Sequence, residues 1–460
     1  MLEELIARFE KHAPLSIMAR VTPEHTLAPQ WIDEVFANSS RKQYTRELLF
    51  STVIGLMSEV TPGFSSSLHA AASRKEDLPV SITALYSKIN RTEPDIMRAL
   101  VQANARRLSP LMERMPVSPA LPGWRVRIVD GNHLPSSEKR LAALRGKPGA
   151  ALPGHALVVY DPDTSLVSDI VAIEDAYAQE RSCMAPLLEI AQPGELWIAD
   201  RNFCTAKDVQ GWDQAGSHFI VREHLRHPRL REEGEWSEGV RIDTSEVSEQ
   251  PVWPEAYEPR CAWRRIGLKL ERPAKGGDQA IWLWSNLPAS VSCETIAGLY
   301  RKRWKIEGIF QRLESVLQSE IRTLGNPRAA LLGFTVGVLA YNALSVMKRS
   351  IEHAHAGSAA PGDAPLDVST WYLAHEISSQ YEGMMVALPA RHWLPWTDAG
   401  AQQTVERLLE LALNVNIRHV RTRKRGPKVR KPEQKCLSRT EGSAHFSTAR
   451  EIEMYSKKAR

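Results

Sequence analysis

Between Trp124 and Arg222 the chain breaks into five short runs rich in β-branched residues: RVRIVD, HALVVYDP, LVSDIVAIED, ELWIAD and HFIVRE. Helical stretches, ERSCMAPLLEIA and TAKDVQGWDQAG, precede the fourth and the fifth. Consecutive short strands pair antiparallel through turns, whereas a strand reached through a helix returns parallel, so this order predicts a mixed sheet with crossover helices. No G-x-G-x-x-G or G-x-x-x-x-G-K-[ST] follows any of these runs, so nucleotide-binding readings lack their phosphate loop.

The 460 residues have room for about three domains at roughly 150 residues each. With 43% hydrophobic and 25% charged residues the composition is globular, and it excludes a disordered, collagenous or many-span membrane chain. Residues 1–118 read as a helical N-terminal domain, with apolar spacing in LEELIARF, WIDEVFANS and RELLFSTVIGLM. Inside it DLPVSITALYSKINR has a polar start and the basic residues Lys88 and Arg91. It suits a DNA-reading helix or an ordinary structural one. Residues 119–222 then form the first part of the sheet domain, 223–280 a Trp-, Pro- and Gly-rich β insertion, and 281–350 the second part. A helical region spans 351–417 and a basic tail 418–460.

The uncharged stretch Ala329–Met347, with Gly333 and Gly337 at G-x-x-x-G spacing, satisfies both a membrane helix and a buried core helix. Thr335, Tyr341, Asn342 and Ser345 favour the core, and no membrane partner is expected. The five cysteines, Cys183, Cys204, Cys261, Cys293 and Cys436, form no C-x-x-C pair, and MLEELIARFEKHAP lacks a basic start and an apolar core. A reducing cytoplasm is the expected compartment.

The formal net charge of +5 is unevenly spread. Residues 418–460 hold fourteen Lys/Arg and four Glu, leaving 45 basic and 50 acidic residues in 1–417. The densest stretch, RHVRTRKRGPKVRKPEQK, includes Arg423, Lys424 and Arg425, and its two prolines prevent a continuous helix. Such a segment tracks a polyanion in extended form, or is simply a solvated end.

Two aspartates stand at matching places, Asp130 at the end of RVRIVD and Asp200 at the end of ELWIAD. Strand-end carboxylates on neighbouring strands repel unless protons or cations neutralise them, and hard oxygen ligands suit Mg²⁺ or Mn²⁺. Glu307, in IAGLYRKRWKIEGIFQRLESVLQSE, is the candidate third acid. On one continuous helix with Tyr300 as origin, Arg303 falls at about 300°, Glu307 at about 340°, Glu314 at about 320° and Gln311 at about 20°. One narrow face therefore carries a phenol, a guanidinium and two carboxylates where a core helix would place Leu or Ile.

The strand order resembles the ribonuclease H fold rather than a doubly wound sheet. The spacing Tyr300-x2-Arg303-x3-Glu307 in LYRKRWKIEGIF, with VDGNHL around Asp130 and IADRNF around Asp200, is similar to the DDE transposases of the insertion-sequence-four family. The resemblance covers about residues 125–350. It implies an α/β fold: a ribonuclease H-like mixed sheet with an inserted β-rich region, plus N-terminal and C-terminal helical regions. It also implies that Asp130, Asp200 and Glu307 are catalytic and hold two Mg²⁺ or Mn²⁺ ions. One ion would activate water or a 3′-hydroxyl and the other stabilise the leaving oxygen of a DNA phosphodiester. The implied reaction is cleavage of transposon ends followed by strand transfer, with terminal inverted repeats and target DNA as partners. A homodimer would hold two ends, in the nucleoid-associated cytoplasm of a bacterium. Tyr300 and Arg303 would grip phosphate near the cut.

The family signature closes with a Lys where this sequence has Glu314. Either the group tolerates the change or the chain is an impaired, transposase-derived DNA-binding protein. Trp282 and Trp284 share one strand face, where one stacks an unpaired base or both are core. Arg201 and Arg222 reach DNA phosphate or pair with a site carboxylate. His133 is expected to hydrogen-bond beside the site rather than to ligate, because this chemistry prefers oxygen. A glycosidase with paired carboxylates would need neither the basic tail nor the Tyr-Arg face.

Overall fold

The structure is a computed structural model that describes residues 2–134, 154–175, 178–224, 230–242, 245–255, 263–271, 278–321, 323–358 and 365–423. Seven helices come first: α1 (Leu2–His12), α2 (Pro14–Thr26), α3 (Pro29–Ser39), α4 (Phe50–Val60), α5 (Leu68–Ser73), α6 (Ile82–Arg91) and α7 (Pro94–Glu113). Proline opens α2, α3 and α7, where its missing N–H costs no helical bond. Ser67 and Ser81 cap α5 and α6 by accepting from Ala70 and Ala84 N–H.

The five expected strands form as β1 (Arg125–His133), β2 (His155–Asp161), β3 (Leu166–Ile173), β4 (Glu195–Ala199) and β5 (His218–Arg222). The short helices α8 (Ala185–Leu188) and α9 (Ala206–Gln214) stand before the last two. Their order is β3-β2-β1-β4-β5, with β2 antiparallel to both neighbours and β1, β4 and β5 parallel. This is the ribonuclease H-like arrangement. Side chains alternate between faces, and both faces are covered. Val126, Ile128, Leu196, Ile198 and Ile220 join the core under the long helices. Val129, Trp197, Ala199, Phe219 and Val221 pack with Leu187, Val209 and Trp212 on the other side. Arg98 on α7 ties β3 down through a two-pronged bond to Asp169, Nε to Oδ1 2.9 Å and Nη2 to Oδ2 2.7 Å.

The Trp-rich insertion does not form a layer of its own. It contributes β6 (Leu230–Glu232), β7 (Val240–Ile242), β8 (Ser245–Pro254) and β9 (Trp263–Leu270), which with β10 (Ala280–Ser285) continue the sheet as β5-β10-β9-β8-β6, β7 pairing with β8. β10 lies antiparallel on β5, Trp284 opposite Val221, so the edge left by the first five strands is paired.

Two helical expectations need correction. ERSCMAPLLEIA shrinks to a 3₁₀ turn, Glu180–Cys183, and the single turn α8, because Pro186 cannot donate to the preceding turn. The helix carrying Tyr300 and Glu307 is not continuous. α10 (Cys293–Lys302) and α11 (Lys305–Ser315) meet at Arg303–Trp304, where Arg303 N bonds Tyr300 O and Ile306 N bonds Arg303 O, both at 3.0 Å and three residues back. This tightened joint lets the Arg303 side chain enter the interior.

The uncharged stretch lies in α12 (Pro327–Ala354), long and apolar enough to cross a membrane; 94% of its most apolar window is buried within the molecule. Its polar groups are paired there. Asn342 accepts from Val167 N at 2.8 Å and donates to Val167 O at 2.9 Å, pinning α12 to β3. At Gly337 an added Cβ would overlap Ser319, so glycine lets the loop after α11 close onto α12. The helices α13 (Thr370–Ala387), α14 (Ala401–Leu413) and α15 (Ile417–Val420) complete the chain as described. One buried apolar cluster runs from Leu15 through the sheet to Val420, so the N-terminal helices share their core with the strands.

Candidate active site

The parallel register of β1 and β4 pairs Val129 with Ala199, so the next residues, Asp130 and Asp200, lie side by side. Asp200 is the first residue past β4, but Asp130 does not end its strand as expected, because β1 continues to His133 by pairing with β2, Asp130 opposite Val158. Burial pushes the Asp130 carboxyl up to about 6. Arg303 and the Gly131 N–H, 3.0 Å from Oδ1, act against that rise, while Asp200 and Glu180 add to it. Positive charge beside this carboxylate is what works against its burial.

Arg303 supplies part of that charge. Only 5% exposed, it donates from Nη1 to Asp130 Oδ2 at 2.6 Å and from Nη2 to Glu307 Oε1 at 2.9 Å. Burial opposes its protonation, but Asp130 and the other site acids outweigh it and raise its pKa. Tyr300 on α10 donates its hydroxyl to Asp200 Oδ1 at 3.3 Å, and burial followed by the Asp200 charge moves the phenol well above its ordinary range. The helix pair thus brings Tyr300 to Asp200 and Arg303 to Asp130, with Glu307 held through Arg303. Tyr300 and Arg303 address carboxylates in this structure and are turned away from solvent. Glu307, its side chain 57% exposed, faces solvent. Among the described residues no three carboxylate, imidazole or thiolate groups converge on one point, so Glu307 stands across the guanidinium from the aspartates.

The remaining expected residues fall in different places. Trp284 is 1% exposed and packs against Trp263, so it cannot meet a base. Period two gave its face but not what covers that face. Trp282 is partly exposed, its ring over Gly267 and stacked under the Arg265 guanidinium at 4.7 Å. Arg222 pairs with Asp278 at 2.5 Å, while Arg201 is exposed in the turn after Asp200. Glu314 is exposed on α11. Arg423 is exposed at the last described position, and Lys424 and Arg425 lie outside the described residues. On α6 Lys88 is folded inward, donating to Leu48 O at 3.0 Å over the Phe36 ring, and burial lowers its pKa. The outward groove of α6 is lined instead by Thr83, Tyr86, Ser87, Asn90 and Arg91.

Sequence reasoning missed Glu180. Its carboxylate accepts from Asn202 Nδ2 at 2.7 Å and pairs with His133 Nε2 at 3.2 Å, so His133 hydrogen-bonds at the site's margin. No periodicity marks Glu180. The only signals were polar partners just downstream of each aspartate.

Residues 122–343 match the family model of the transposase DDE domain. No curated protein matches the chain significantly. Among solved structures, a cryo-EM structure of a piggyBac transposase synaptic complex with hairpin DNA is similar at 10% identity. The alignment covers 86% of this chain and 85% of that one, with a TM-score of 0.34.

Proposed function

We propose that this chain, with its transposase DDE domain over residues 122–343, is a DNA transposase that cuts transposon ends and joins them to target DNA. The observation that carries the reading is the pair of carboxylates on neighbouring parallel strands, Asp130 within β1 and Asp200 just past β4, with Glu307 one guanidinium away. The donors fit Mg²⁺ or Mn²⁺. All are hard oxygens, and three carboxylates share the single guanidinium of Arg303 and the hydroxyl of Tyr300. Asp130, Asp200 and Glu307 would hold two such ions, which when bound supply Lewis-acid activation of the attacking and leaving oxygens of a phosphodiester.

The chain's own residues do the rest. Tyr300 orients Asp200, and Arg303 keeps Asp130 and Glu307 in register until phosphate competes for its donors. The exposed Glu307, bonded here to Arg303, is the carboxylate that would move toward the aspartates. Exposed Arg201 next to Asp200 is placed to meet a DNA phosphate. Acting on two element ends calls for two copies of the chain, at the nucleoid of a bacterial cytoplasm.

A second reading, a DNA-binding protein that no longer cuts, draws support from the exposed carboxylate of Glu314 and from the countercharge already bridging Asp130 and Glu307. Incubating the purified chain with a labelled duplex of its element's terminal repeat, with and without Mg²⁺, separates the two. Metal-dependent nicking at the repeat boundary, lost in Asp200→Asn with DNA binding retained, is expected. Specific binding without a nick would establish the second reading.

A further inference from the structure

Glu180 touches both segments that carry the aspartates. Its Oε1 meets His133, three residues beyond Asp130, and its Oε2 meets Asn202, two beyond Asp200. Between these contacts the carboxylate lies against the β1 backbone, and a Cβ at Gly131 would overlap it. The glycine after Asp130 is therefore the residue that admits Glu180. The 3₁₀ turn Glu180–Cys183 packs on the 3₁₀ turn Arg201–Phe203 that follows Asp200, so this bridge ties two packed turns to β1.

A purely structural bridge would not need a charge at this place. Glu180 is one more negative group beside Asp130 and adds to the forces on it. Burial disfavours its own ionisation, yet the bonds from His133 and Asn202 hold it below the usual carboxylate range, so it is a charged, satisfied acceptor. Groups hydrogen-bonded directly to metal ligands are worth roughly 10–100-fold in metal affinity, and Glu180, acting through residues flanking the aspartates, belongs at the lower end of that range.

We propose, on the transposase reading, that Glu180 is a positioning residue: by clamping His133 and Asn202 it fixes the separation of Asp130 and Asp200 and thereby the affinity of the site for divalent cations. It touches neither substrate nor ion itself.

The test titrates the full-length protein with Mn²⁺, followed by electron paramagnetic resonance, alongside cleavage of the repeat duplex over a range of Mg²⁺. Glu180→Ala is expected to weaken Mn²⁺ binding by about tenfold or more at unchanged stoichiometry. Cleavage should fall at low Mg²⁺ and recover at high Mg²⁺. Glu180→Gln, whose carbonyl still accepts from Asn202, should restore part of the affinity. Gly131→Ala, which displaces the carboxylate while leaving it in the chain, should reproduce the loss if Glu180→Ala fails to fold. Glu180→Ala combined with Asn202→Ala should cost no more than Glu180→Ala alone. Unchanged Mn²⁺ affinity, additive losses, or no Mn²⁺ binding by the wild type would each overturn the proposal. One ion fewer per chain would also overturn it, by making Glu180 a ligand. A wild type that binds Mn²⁺ but never cuts defeats the transposase reading alone, and the Mn²⁺ affinities of the variants still decide the role of Glu180.

Discussion

Arg303 has its guanidinium between two acids and almost no access to water, so removing it strands Asp130 without its nearest countercharge. Breaking one side of a buried pair costs about 3 kcal/mol, and Arg303→Ala is expected to lower the urea midpoint accordingly. Adding Asp130→Asn should recover part of that loss, because the stranded charge goes with it. A double variant less stable than Arg303→Ala would show that the arginine acts by packing. Glu314 poses the opposite case, an exposed carboxylate where the family it resembles carries a Lys. Glu314→Lys is expected to tighten binding to the repeat duplex and steepen its salt dependence by about one phosphate contact, read by fluorescence anisotropy across a salt series. Asp130 and Asp200 were legible in the sequence because each closes an apolar run, although only Asp200 marks a strand's end: pairing with β2 carries β1 on to His133. Glu180 was not, because its role depends on two turns whose approach no spacing encodes. Trp284 was left undecided for a related reason: alternation assigns a face, and only the packed insertion shows Trp263 covering it.

The α10–α11 joint shows how far helical periodicity carries. Angles from a continuous helix placed Tyr300, Arg303 and Glu307 on one face, and the structure does bring them together. It does so through two short helices hinged at Arg303–Trp304, a break that no proline or glycine announces. The pull of Asp130, 173 positions away in sequence, on a buried guanidinium is a tertiary force, invisible to local spacing. In α9 local chemistry is readable. Thr205 caps the helix by accepting from Asp208 N, and its hydroxyl donates to Asp208 Oδ2 at 2.7 Å. Burial nonetheless pushes the Asp208 carboxyl from its ordinary 3.8 up to about 6, and Oδ1 has no partner in the structure. A carboxyl whose folded pKa is raised contributes stability that is fully present below about 3.8 and lost as pH rises through about 6. Asp208→Asn, neutral throughout, should therefore match the wild type near pH 4 and exceed it above pH 6, by up to about 3 kcal/mol. Melting curves across that window check the sign. An equal advantage at all pH values would make packing, not charge, the cause.

At the scale of the whole molecule the five-strand order was legible, since strand count and the position of crossover helices leave few topologies. That the insertion would extend the sheet to ten described strands was not, because edge pairing is decided by β10 returning beside β5. The charge asymmetry was also readable, and the structure refines where the tail begins. Ser369 N bonds Val420 O and Thr422 N bonds Asp367 O, both at 2.8 Å, with Val420 buried, so residues through Thr422 are stitched to the segment before α13. Deletion from residue 418 would tear that stitch and confuse a folding defect with a lost DNA contact. Deletion of 424–460 leaves it intact while removing eleven Lys/Arg and four Glu, so the remaining chain holds 48 basic and 50 acidic residues. The truncated protein is expected to melt as the full chain does but to bind DNA with a shallower salt slope, by about 0.9 per phosphate no longer neutralised. Because counterion release is the only term that scales this way, a weaker affinity at unchanged slope would assign the tail to contacts other than phosphate. An unchanged affinity and slope would leave the body, with exposed Arg201 and Arg423, as the whole of the DNA surface.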